Sequence, residues 1–402
     1  MAVLPVLLCF VLPGRAGTPL RPESFGASGD GLSDDAPAFN RCFAEGRPVA
    51  LTAGKTYRLK TRLQAIHTEN FELQGNGARL IVDADYPLDR YAHIFHFDTD
   101  AHPQGSFVMT DLQAEYLPGQ KFADSLAVGD SYFIFLDNCR QARLSRVSLD
   151  TPSRYNNLTF FATFGTSRLE MEACSVRLNT LSRQGGCVWV MNRYCADTDI
   201  RMHACRFEHD ARDEAVCFAA VDLWQLPGCR IRALVEDCTF RSACTGPSSG
   251  FLIHYNHAPA LADIRVTYRR CRFEAAGRES RKILSCQTGE QPGVRYAVLA
   301  SRFEDCVFDY RFSRSHDTGL LGLPFRRAGV PVEDCLMDFR RCRFTLRGIR
   351  PLIGDRDGER MGCYRFRRCR IDADAAPFTK QYNVHESDIY LGWNRVKMKK
   401  LY

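Results

Sequence analysis

The stretch "CRFEHDARDEAVCF", residues 205–218, brings His209, Asp210, Asp213 and Glu214 close together along the chain. Two neighbouring carboxylates can act as acid and base in a hydrolysis when their surroundings split their pKa values. Two later segments offer different chemistry. "SRKILS" supplies Arg281 and Lys282, and "SRSHDT" supplies His316 and Asp317. Cations that neutralise a substrate carboxylate, beside a base that removes the neighbouring proton, suit an elimination. These groups lie far apart in sequence, so either chemistry needs a fold that stacks them.

The cysteines show such a fold. A short phrase recurs at Cys174, Cys205, Cys238, Cys271, Cys306, Cys342 and Cys369, with spacings of 31, 33, 33, 35, 36 and 27 residues. A period near 33 with variable insertions marks a stacked repeat whose insertions fall in loops. An alternating stretch leads into each cysteine, as in "DIRMHACRF", and a second short apolar segment follows, as in "AVCFAA" and "FLIHY". Short strands with little helix between them predict a parallel β-helix. Counted from the repeating cysteine, Asp213 and Glu214 fall at +8 and +9, while Arg281 and Lys282, like His316 and Asp317, fall at +10 and +11. Equal phase on consecutive turns puts them along one face. His254 and Tyr255 sit in the following strand, where His254 either joins the row or belongs to the core. The row also reads as the polar loop tips of a solvated surface.

Stacked turns would make the cysteines an inward ladder of small side chains, held as buried thiols rather than disulfides. Just ahead of them the charges alternate: Glu236-Asp237, Arg269-Arg270, Glu304-Asp305, Arg340-Arg341. Opposite charges on adjacent turns attract and would fix the register. Arg367-Arg368 breaks the alternation.

Upstream, "FGASGDGLSDDAPAFNRCF" places Asp34 or Asp35 to cap a helix from about Ala36, with Phe39 and Phe43 on its apolar face and Gly46 as its stop. A calcium loop fails on spacing, because the twelfth position from Asp30 is Arg41. No zinc spacing, phosphate loop or dinucleotide fingerprint is present.

Phe25-Gly26-Ala27-Ser28-Gly29-Asp30-Gly31 with Asp34-Asp35, then Ala53-Gly54-Lys55-Thr56-Tyr57, then Leu73-Gln74-Gly75-Asn76-Gly77, resembles the N-terminal signature of the pectate-lyase-like superfamily. The resemblance covers about residues 22–83. It implies an all-β fold, a right-handed parallel β-helix with an N-terminal capping helix. Polygalacturonase-like hydrolases, polysaccharide lyases and phage tailspikes share that fold. The polygalacturonase-like motifs are only partly matched: "RDEAV" resembles the paired-aspartate segment, but "RQGGCVWV" lacks the aspartate of the preceding turn. Ser249 or Gly250 stands where a histidine is expected, and Arg281-Lys282 reverses the usual order.

The resemblance implies an acidic, uronate-containing polysaccharide as partner rather than nucleic acid. Asp213 and Glu214 are then the candidate acid and base, and Arg281, Lys282 and His316 the candidate groups for elimination. His209, Asp210, Trp224, His254, Tyr255 and Asp317 are candidate substrate contacts, with Trp224 placed in the loop "VDLWQLPG" to stack on a sugar. No cofactor is required for hydrolysis; a lyase would add calcium. A non-catalytic adhesin or tailspike-like β-helix is the rival reading. A trimer would suit the tailspike-like case and a monomer an enzyme.

The 402 residues carry a net charge of +7 and 45% hydrophobic residues. That composition fits a globular chain with a mild preference for acidic polymers. Residues 1–17 hold an apolar run, Ala2 to Leu12, that reads as a degenerate export signal and is too short to span a bilayer. The expected location is therefore secreted, periplasmic or cell-surface. The expected organisation is a cap with the first coils over 18–83, a β-helix body over 84–380 and a tail over 381–402, with 18–402 as one structural domain.

Overall fold

A computed structural model describes residues 18–87, 93–98, 105–118, 131–151, 158–180, 185–191, 197–211, 214–221, 230–244, 250–258, 263–280, 284–288, 298–315, 321–322, 331–348, 363–374, 389–392 and 395–398. The segment 1–17 lies outside them.

One coil shows how the sequence makes the fold. In Asp197–His203 the side chains alternate between exposed and buried, with Ile200 and Met202 facing in. Ala204 then adopts φ 53°, which turns the chain sharply, and Cys205 faces the interior. Arg206–Ala211 continues the alternation on a second wall with Phe207, His209 and Ala211 inside. Glu214–Val221 forms the third wall. Strands at equivalent places in successive coils pair in parallel. Among the described residues they build two sheets of twelve strands and a third of eight. The protein is a right-handed parallel β-helix. Strands Ile389–Gly392 and Arg395–Met398, within the segment read as a tail, continue the first and second sheets.

The corner between the first and second sheets is the most regular part of the coil. Asp111, Arg146, Ala173, Ala204, Asp237, Arg270, Asp305, Arg341 and Arg368 all occupy it with φ between 51° and 56°. That conformation costs an L-residue about 1–3 kcal/mol. Backbone bonds on both sides of the bend offset the cost, and the N–H between them reaches a thiol, as that of Cys205 does to Cys238 Sγ at 3.3 Å. Ala204 N–H donates to Glu236 O at 3.0 Å, and Arg206 N–H donates to Cys174 O at 2.8 Å.

The recurring cysteines follow this residue. They are buried free thiols, and each S–H can reach the carbonyl two residues back, as in Cys238 to Glu236 at 3.2 Å and Cys306 to Glu304 at 3.3 Å. A cysteine is small enough for the inside of the bend and still offers a weak donor there. Burial pushes the Cys306 and Cys342 thiols of this series up, so they stay protonated. Beside this ladder runs an aromatic one: Phe273, Phe308 and Phe344 stack with centroids 4.9 and 4.5 Å apart.

The charges at the corner pair between coils. Arg270 binds Asp237 through two bonds of 2.8 and 2.7 Å, and Arg341 binds Asp305 through two of 2.7 Å. Arg269 bridges Glu304 at 3.1 Å and Glu236 at 3.6 Å.

The helix Ala36–Ala44 closes the first coil. Phe39 packs edge-on against Tyr57, and Phe43 against Phe71. Asp35 is buried and accepts backbone N–H bonds from Ser28 at 2.7 Å and Arg58 at 3.1 Å, which ties cap to coil. Asp34 accepts from Ala36 N–H at 3.2 Å and Lys60 N–H at 2.9 Å. The aspartates of this stretch therefore hold backbone. Among the described residues no helix is long and apolar enough to cross a membrane.

Candidate functional site

Asp213, Arg281, Lys282, His316, Asp317 and Trp224 lie outside the described residues. The strands flanking Asp213, Arg281-Lys282 and His316-Asp317 are described: Arg206–Ala211 and Glu214–Val221, Arg272–Ser280 and Leu284–Thr288, and Val307–Ser315 and Leu321–Gly322 end and begin at the passage from the second sheet to the third, whereas Trp224 falls between Glu214–Val221 and Arg230–Glu236, from the third sheet to the first. Glu214 opens its strand and pairs in register with Gly250. His254 pairs with Phe218 and Leu284, which are core residues, and Tyr255 pairs with Ala219 and Ser285. Asp210 is half-buried, between Asn179 and Ala243 in the second sheet.

His209 differs from the expectation. Its sequence neighbours group it with the substrate contacts, yet it is fully buried, because the alternation of "RFEHDA" carries it inward with Phe207 and Ala211. Its Nδ1 accepts the Val216 N–H at 2.8 Å, and its Nε2 lies 2.8 Å from Thr180 Oγ1. This pairing requires the neutral tautomer protonated at Nε2. Burial lowers its pKa to about 4. His209 therefore fastens the corner between the second and third sheets from inside.

The aromatic residues divide similarly. Tyr310 is buried in the core. Trp189 packs outside it, on the outer face of the third sheet with Tyr132, Phe135 and Phe164. The indole fits because position 186 is glycine: a Cβ there would fall 2.4 Å from Trp189 Nε1.

The outer face of the first sheet forms an open groove of about 1900 Å³. Arginines are frequent along its walls, between apolar stretches that make up most of the lining. Most charges have partners: Arg168 holds Glu170 at 2.9 Å, Arg265 holds Asp334 at 2.6 Å and Arg340 holds Asp338 at 2.7 Å. One column reads Arg143, Glu170, Arg201, Leu234, Thr267 and Arg302 on consecutive coils. Within it Arg143, Arg201 and Arg302 are exposed, and among the described residues none of them has an ion pair or side-chain hydrogen bond. At ~4.8 Å per rung they stand roughly 10 and 14 Å apart along the axis. Sequence reading missed these residues. The available signal was their phase, four residues ahead of the corner residue that faces inward: Val147, Cys205 and Cys306. Among the described residues no three His, Cys, Asp or Glu side chains converge as a metal site.

A three-sheet parallel β-helix with an arginine-lined outer groove is thus the class of protein that the fold and surface define. No protein-family model and no curated protein matches the sequence. Among solved structures the chain is similar to PfbA, a surface adhesin of Streptococcus pneumoniae, with 10% identity over 94% of this chain and 91% of that one and a TM-score of 0.49. It is also similar to the endo-xylogalacturonan hydrolase of Aspergillus tubingensis, with 14% identity over 93% and 97% and a TM-score of 0.43. For tailspike protein 3 of bacteriophage CBA120 the identity is 11% over 96% and 62%, with a TM-score of 0.33.

Proposed function

We propose that the protein is an exported β-helix that binds an acidic, uronate-containing polysaccharide along the outer face of its first sheet. The observation that supports this reading most directly is the set of guanidinium groups at Arg143, Arg201 and Arg302, without ion partners among the described residues, in one column of a long open groove. An extended pyranose chain advances by about one rung per sugar when it lies along such an axis, so carboxylates at intervals of two or three sugars would meet them. Guanidinium is suited to carboxylate because two parallel N–H groups match its two oxygens. The neighbouring ion pairs keep the other arginines and acids of the wall fixed.

Cleavage is a second reading, supported by the common corner of the flanking strands. Asp213 and Glu214 would serve as acid and base in hydrolysis. In elimination, Arg281 and Lys282 would hold the substrate carboxylate while His316 removes the proton.

A panel of uronate polysaccharides, incubated with and without calcium, tests both. Retention of a polygalacturonate probe by the wild-type chain is expected, with affinity falling by about tenfold in R143A/R201A/R302A and weakening with salt. Unchanged affinity in that variant refutes the groove reading. Reducing ends that disappear in D213N/E214Q indicate hydrolysis, and unsaturated products that disappear in H316A indicate elimination. No product in any mixture removes the cleavage reading and leaves the binding one.

A further inference from the structure

The corner that joins the first and second sheets changes character at its C-terminal end. On earlier coils the charges at this position oppose each other, as in Asp111 with Arg146, Asp237 with Arg270 and Asp305 with Arg341. Further on, "RRCRF" stacks on "RRCRI" instead. Arg340 is in register with Arg367, and Arg343 with Arg370. Arg341 N–H donates to Arg367 O at 2.9 Å, which sets Arg368 next to Arg341. Like charges directly opposite each other on neighbouring strands are destabilising.

The described acids within reach are already taken. Arg340 is held by Asp338 and Arg341 by both oxygens of Asp305, Asp372 and Asp374 are bound by Arg347 at 3.0 and 3.4 Å, and Glu333, whose charge also feels Arg367, is bound by Arg365 at 3.3 Å. Arg343, Arg367, Arg368 and Arg370 are exposed, and among the described residues their side chains make no ion pair or hydrogen bond. Three of the four lie on a single rung and the fourth one rung away. This density differs from the groove, where the unpaired arginines are two or three rungs apart.

We propose that this corner is a second binding surface, for a densely sulfated polysaccharide. The assignment does not depend on the groove. A polymer of uronates alone offers one charge per sugar, whereas a sulfated sugar presents two or three oxyanions within the span of one rung. Each sulfate can accept paired N–H bonds from a guanidinium. Binding would remove the like-charge repulsion between the stacked arginines. The outer register partners of Arg343, Arg367 and Arg370 are Val307, Gly392 and Arg395, which give no aromatic platform for stacking bases.

The test uses the full chain and three labelled probes: dextran sulfate, polygalacturonate and a single-stranded oligonucleotide. Arg368→Asp extends the alternation of Asp305 and Arg341 by one more rung. The expected result is a loss of about tenfold or more in affinity for dextran sulfate, with polygalacturonate affinity unchanged within about twofold and Tm equal to or above that of wild type. R367A/R370A gives the same loss without an introduced acid and covers the case in which Arg368→Asp fails to fold. Dextran sulfate affinity unchanged in both variants overturns the proposal. An oligonucleotide bound as tightly as dextran sulfate overturns the glycan assignment, and an equal loss for dextran sulfate and polygalacturonate overturns the separate site.

Discussion

His209 gives a sharp test of how the corner between the second and third sheets is held. Its imidazole is enclosed, and Nδ1 accepts the Val216 N–H. A proton on Nδ1 would leave that N–H without its acceptor and place a charge in the core. The folded pKa, lowered to about 4 by burial, lies below the ordinary 6.5 of an unfolded chain. Between these values the unfolded chain binds the proton and the folded one does not, so acid favours unfolding. The contribution is full above pH 6.5 and is lost progressively as the pH falls toward 4. At about 1.36 kcal/mol per pH unit the loss is about 3 kcal/mol. His209→Gln keeps an acceptor for Val216 and cannot titrate. Urea unfolding at about pH 7 and about pH 4.5 should show the wild-type chain losing about 2–3 kcal/mol more than the variant. His96, whose pKa burial also lowers, titrates equally in both chains and cancels. Parallel stability curves for the two proteins would refute the reasoning.

Two further predictions concern the scaffold. Asp35→Ala leaves the part-buried Ser28 and Arg58 N–H groups without their carboxylate, and urea unfolding should show a loss of about 1–3 kcal/mol in all. Cys271→Leu forces a larger side chain between the rungs of Cys238 and Cys306, and the same assay should give a loss of about 1–3 kcal/mol. Cys271→Ala should cost less.

The parts of this fold that are legible in the sequence are those that repeat. A small inward residue follows each bend, so the cysteine phrase exposes the period. The opposed pairs at Asp237, Arg270, Asp305 and Arg341 show that coils are stacked. The cap is readable because Asp34-Asp35 before an apolar helical face has few other uses. His209 misleads through its company: Asp210, Asp213 and Glu214 make the segment look like a polar loop. The strand in fact runs to Ala211, with Phe207, His209 and Ala211 on one side. Arg143, Arg201 and Arg302 are invisible for a different reason. An outward arginine on a strand is ordinary, and its freedom depends on the residue one coil away, which only the register supplies. Glu170 stands between Arg143 and Arg201 and Asp338 follows Arg302, but these acids are bound by Arg168 and Arg340 instead.

The alternating corner also limits how this chain can change length. Removing the coil that contains Arg270 would bring Asp237 onto Asp305, and removing the coil of Asp305 would bring Arg270 onto Arg341. Removing both would leave Asp237 facing Arg341, with opposition restored. Growth or shortening is therefore tolerated by even steps in the charged stretch, while the neutral Ala173 and Ala204 rungs accept odd ones. In the stretch from Asp237 to Arg341 the charge pattern thus repeats every two coils, so parity rather than residue identity sets which changes of length keep opposite charges facing.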